Sequence, residues 1–131
     1  MSSKVKPTES ELEILNILWD KGPGTVRDVH EVLTKTKDAG YTTTLKLMQI
    51  MHDKKLLKRD ASSKTHVFEA AVSQQQTQGQ MVRKMIDTMF KGSASQLVMQ
   101  ALGNYKSSPE ELDEIRRYLE EMDKKSKRSK N

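Results

Sequence analysis

The chain has no cysteine, which rules out a disulfide scaffold, a thiolate metal site and a cysteine nucleophile together. Aromatic residues make up only 5% of 131 positions, so the eight methionines must carry much of the packing. No apolar run approaches the ~18 residues of a membrane span. The opening Met-Ser-Ser-Lys-Val-Lys-Pro has no apolar signal core, so a cytoplasmic chain with no membrane insertion is expected. Catalytic signatures are missing as well: there is no nucleophile elbow, phosphate-binding loop or dinucleotide fingerprint, and His30-Glu31 is followed by Val-Leu-Thr. His30, His52 and His66 share no ligand spacing, so neither a metal nor another cofactor is expected. The carboxylates Glu110, Glu111, Asp113 and Glu114 face no second acidic cluster and suit the first turn of a helix. No residue is assigned a catalytic role, and an enzyme is not expected.

The formal charge is +5, and its placement says more than its size. The last eight residues hold five basic and no acidic side chains, which accounts for the whole excess. A terminal Lys/Ser run of this kind, residues 124–131, reads as a basic disordered tail. A second basic stretch lies inside the chain, where residues 37–64 hold seven basic and three acidic side chains. That local field points to an anionic partner there.

Thr8-Glu9-Ser10-Glu11 is a capping box ahead of an apolar face of Leu12, Ile14, Leu15, Leu18 and Trp19, ending at Lys21-Gly22-Pro23. Gly24-Thr25-Val26 is a single strand-like step, and Thr25 with Asp28 caps a second helix with Val26, Val29, His30 and Leu33 inward. A third helix is expected over 42–54 with Thr42 as its cap. Thr44, Leu47, Met48 and Met51 fall on one side, and Thr42, Lys46, Gln49 and Asp53 on the other. Hydroxyls, a lysine and a glutamine on a free face are the groups that reach phosphates and base edges. Around 57–59 and 65–69 the period changes to that of strands, with Lys64 in the polar turn between them. Three short helices followed by a hairpin make a winged helix-turn-helix. The expected domain covers residues 1–72.

Residues 73–123 form a second region of three amphipathic helices, capped at Ser73, Ser93 and Ser108-Pro109. Lys91-Gly92 and Gly103-Asn104 read as the stops of the first two. Their stripes include Met85, Met89, Leu97, Val98, Ala101, Leu112, Ile115 and Leu119, more apolar surface than so small a bundle can bury alone. A second copy of the chain would cover it, so this is the expected dimerisation region of a homodimer.

The blocks E-L-E-I-L-N-I-L-W, G-T-V-R-D-V-H-E-V-L, Y-T-T-T-L-K-L-M, K-T-H-V-F-E-A-A-V-S, F-K-G-S-A-S-Q-L-V-M-Q-A-L and S-P-E-E-L-D-E-I follow one another from about Thr8 to Leu119. In that order they resemble the penicillinase-repressor (BlaI/MecI-type) transcriptional regulators. The resemblance implies a winged helix with a helical dimerisation region, a palindromic double-stranded DNA operator and repression of resistance genes. It also implies a regulatory protease, whose Asn-Phe target bond corresponds here to Gln100 and Ala101. Many members carry Lys and Arg where this chain has Leu45 and Ile50. Copper-responsive members end in a Cys cluster that this chain lacks.

The combined reading is a mainly α protein with a small β-hairpin wing, acting as a homodimeric DNA-binding repressor. Thr42 and Thr43 are assigned to backbone phosphates, Lys46 and Gln49 to base edges, Leu45 to a thymine methyl, and Arg27, Lys58 and Lys64 to the flanks. Two rival readings stand beside it, a winged-helix protein-interaction module and a small-molecule-sensing regulator.

Overall fold

Among the described residues, five of six helices begin where a Ser or Thr hydroxyl accepts a first-turn amide. The computed structural model describes residues 6–129. Helix α1 (Glu9–Lys21) starts at a capping box in which Thr8 Oγ1 accepts from the Glu11 amide at 3.1 Å and Glu11 accepts from the Thr8 amide at 2.9 Å. It stops at Gly22, whose φ of 89° lies in the region that favours glycine. Helix α2 (Val26–Leu33) repeats the device with Thr25 and Asp28.

Helix α3 (Tyr41–Asp53) is the exception. Its N-cap is Gly40 and not the expected Thr42, and no side chain caps it. Thr42 and Thr43 instead lie inside the first turn. The cause is local: Gly40 is extended at φ −81°, ψ 150°, and the Thr44 hydroxyl donates back to the Gly40 carbonyl at 3.3 Å. At its other end the chain leaves through Lys55, at φ 68°, and the Leu56 amide donates to the Met51 carbonyl at 2.9 Å.

Strands β1 (Leu57–Asp60) and β2 (Val67–Ala70) are antiparallel, with Leu57 opposite Ala70, Lys58 opposite Glu69, Arg59 opposite Phe68 and Asp60 opposite Val67. Gly24 joins as a one-residue third strand, exchanging bonds of 2.9 and 2.8 Å with Phe68. Ile14, Leu15 and Leu18 of α1 meet Val29 and Leu33 of α2, Met48 and Met51 of α3, and Leu56, Leu57 and Phe68 in one buried core. Trp19 sits at its margin, where its indole N–H donates to the Val72 carbonyl at 2.9 Å.

Helices α4 (Gln74–Met89), α5 (Ala94–Asn104) and α6 (Pro109–Ser129) follow. The chain divides into two compact units inside α4, between Lys84 and Met85, later than the expected step at residue 73. Thr77, in the first turns of α4, is buried in the first unit. Helix α5 ends at Asn104, within the expected Gly103-Asn104 stop, with Tyr105 as its cap and Asn104 Nδ2 donating back to the Gln100 carbonyl at 2.8 Å. The expected disordered tail is also corrected as far as the structure describes it, since α6 continues through residues 124–129. Lys127 and Arg128 in its last turn suit the helix dipole, and Lys127 pairs with Asp123 at 3.4 Å. Residues 130 and 131 lie outside the described residues.

Candidate nucleic-acid interface

The apolar spacing of α3 turns Thr44, Met48 and Met51 into the core and leaves Tyr41, Thr42, Thr43, Lys46, Gln49 and Ile50 exposed. Leu45 is half-buried between the two faces. The helix is fastened at its far end by Lys54, whose Nζ lies 2.7 Å from a Glu11 carboxylate oxygen. Burial works to raise the Glu11 carboxyl. The hydrogen bond and charge of Lys54, with the Thr8 amide and hydroxyl, outweigh that and hold it below the usual glutamate value.

Between the start of α2, the outer side of α3 and the hairpin runs a groove of about 580 Å³. Arg27, Leu45, Gln49 and Lys64 all line it, so four residues singled out from sequence are brought together. Tyr41, Arg59 and His66 line it too. Val26 and Phe68 add an apolar floor, and no carboxylate borders it. Arg27, Arg59 and Lys64 make no side-chain ion pair among the described residues, so their charge is available to a ligand.

Lys58 is not part of this lining. Strand residues alternate faces, and Lys58 shares its side with Glu69 while Arg59 shares the groove side with Phe68. The sequence carries no register from which to tell which of these two neighbours lines the groove. Tyr41 was passed over for a related reason, since placing the cap at Thr42 left it outside the helix. At the wing tip Asp60 Oδ1 accepts from the Ser62 amide at 3.0 Å, and that bond lowers the Asp60 carboxyl from its usual value. The strands consequently run to Asp60 and resume at Val67, a longer turn than expected.

In the second unit no residue from 85 to 128 is buried. Met85, Met89, Val98, Ala101 and Leu119 are exposed, and Leu97, Leu112 and Ile115 are half-buried. Gln100 and Ala101 are exposed on α5, within regular helix.

The sequence matches the family described as penicillinase repressor over residues 7–121. The chain belongs to the penicillinase repressor family. It is 19% identical over 124 residues to the penicillinase repressor of Staphylococcus aureus, covering 95% of this chain and 98% of that one. To the transcriptional regulator BlaI of Mycobacterium tuberculosis (strain H37Rv) it is 25% identical over 126 residues, covering 94% and 89%. Among solved structures, a mutant of Lactococcus lactis ZitR aligns with a TM-score of 0.45 at 19% identity, over 95% of this chain and 79% of that one. As a member of this family the protein is a DNA-binding transcriptional repressor built on a winged helix, and not an enzyme. Among the described residues no helix is long and apolar enough to cross a membrane, and no group of acids and histidines is placed to hold a metal.

Proposed function

We propose that this repressor works in the cytoplasm as a homodimer on a palindromic operator, with α3 in the major groove and the cleft beside it taking the sugar-phosphate backbone. The carboxylate-free cationic groove between α2, α3 and the wing carries the reading. A second feature supports it, because α3 alone among the described helices starts without a side-chain cap and so keeps its first-turn amides free for phosphate. Lys46 and Gln49, exposed one turn further on, are assigned to base edges, and Leu45 to a thymine methyl.

The dimer is supported by the second unit, in which three helices expose a run of large apolar side chains and bury none. A second copy is the partner that this stripe suits, since isologous pairing of α4–α6 would cover both sets at once. Cutting Gln100–Ala101 would then end repression by separating the DNA-reading unit from part of its pairing surface, because a tethered second contact gains effective concentration. Intact-mass measurement of the protein from cells before and after induction tests this. A full-length chain after operator release would remove proteolysis from the account.

The experiment for the whole reading is selection of a duplex from a randomised library, followed by titration against salt. Inverted-repeat half-sites spaced by about 10 base pairs or a multiple, with log K falling linearly in log salt, are the expected result. Equal affinity for every duplex would reject it.

A further inference from the structure

Helix α3 is held at both ends by polar side chains from other helices. Lys54 to Glu11 is the fastening at its C-terminal end. At the N-terminal end, His30 of α2 places Nδ1 2.9 Å from Thr44 Oγ1. Thr44 is only 2% exposed, and its hydroxyl donates to the Gly40 carbonyl. A hydroxyl has one proton to give, so in the bond to His30 the imidazole Nδ1–H is the donor. The same ring stands edge-on to Tyr41, with centroids 5.4 Å apart and planes at 83°. One side chain from α2 therefore fixes residues 41 and 44, and Thr42 and Thr43 lie between them.

We propose that His30 is a positioning residue for sequence recognition, acting through α3 by setting the orientation of its first turn. This rests on reading α3 as the DNA-contacting helix. Phosphate contacts come from long side chains in a diffuse field and tolerate small displacements, whereas hydrogen bonds to base edges weaken steeply when misaligned. Loosening the first turn lets α3 shift and misaligns Lys46 and Gln49 on the base edges, which should lower discrimination. The first-turn phosphate contacts tolerate the displacement and leave general affinity in place.

The test uses full-length protein, a duplex selected by the wild type from a randomised library, and a scrambled duplex of the same composition. Wild type, His30→Leu, His30→Asn and Thr44→Val are titrated on both, and thermal melts report folding separately. His30→Leu should bind the scrambled duplex as wild type does, with the same salt slope, and lose on the order of ten-fold in the ratio of selected to scrambled affinity, about what one lost hydrogen bond is worth. Thr44→Val removes the same bond from the other partner and should give the same loss, which keeps the test decisive even where His30→Leu folds poorly. His30→Asn, which can offer an N–H near the Nδ1 position, should recover most of the ratio. A folded His30→Leu that keeps the ratio, or that loses both affinities equally, overturns the inference. A wild type with no preference at all would overturn the DNA reading itself, a result distinct from a discriminating wild type matched by its variants.

Discussion

Glu11 ties two parts of the winged unit together with one carboxylate: it accepts the Thr8 amide that begins α1 and the Lys54 ammonium that ends α3. Its side chain is 2% exposed, so losing a partner leaves a charge with little water to replace it. Lys54→Met should cost about 1–3 kcal/mol at neutral pH, read as a lower denaturant midpoint. The folded carboxyl is more acidic than the unfolded one, so the stabilisation is complete above the ordinary glutamate value and is lost as pH falls through the depressed folded value. The difference between wild type and Lys54→Met should accordingly shrink on acidification, and a constant difference would show that Glu11 does not sense Lys54. Lys55 carries the opposite sort of cost, a left-handed φ of 68° in a residue with a Cβ. Lys55→Gly should raise stability by about 0.5–1 kcal/mol by thermal melt, and a decrease would mean that its side chain contributes more than the strain costs.

Elements were legible in the sequence wherever a start signal was written in side chains. Thr8 with Glu11, Thr25 with Asp28 and Ser108 with Glu111 each close the reciprocal bonds that their spacing requires. At α3 the signal was a glycine, which marks no single role, and three consecutive threonines after it suggested a cap that the backbone does not use. Helix α5 ends at Asn104, where its stop is expected, and the Asn104 amide there donates to Gln100 one turn back. The wing divides its two basic neighbours between faces, which gives a direct contrast. Arg59→Gln should weaken binding to all duplexes and reduce the salt slope by about 1, while Lys58→Gln should change little. The reverse order would place the outer face of the hairpin against DNA. On α3 itself, Lys46→Ala should cost about 1–3 kcal/mol on the selected duplex and much less on a scrambled one. Equal losses would make Lys46 a phosphate contact.

For the whole molecule, the winged unit closes its own core, and hydrophobic periodicity in the sequence was sufficient to place it. Periodicity also located the stripes of α4–α6, but what covers a stripe is not written in its spacing. Leu112, Ile115, Leu119 and Met122 recur like a coiled-coil seam, and in a single chain they stay partly or largely exposed. The groove was only half legible for a similar reason, since Arg27 and Arg59 are distant in sequence and meet through the Gly24–Phe68 bridge that draws the α2 start to the hairpin. Met89 is 68% exposed, and Met89→Lys should convert the dimer to monomer in sedimentation without unfolding the winged unit. An unchanged dimer would move the pairing surface off α4. The central claim, two copies each placing α3 and its groove on one half of a symmetric site, is tested most directly by hydroxyl-radical footprinting on the selected duplex. The account predicts two protected patches related by a dyad, with centres about 10 base pairs or a multiple apart, both weakened together by Arg59→Gln. A single asymmetric patch, or protection that survives Arg59→Gln unchanged, would contradict it.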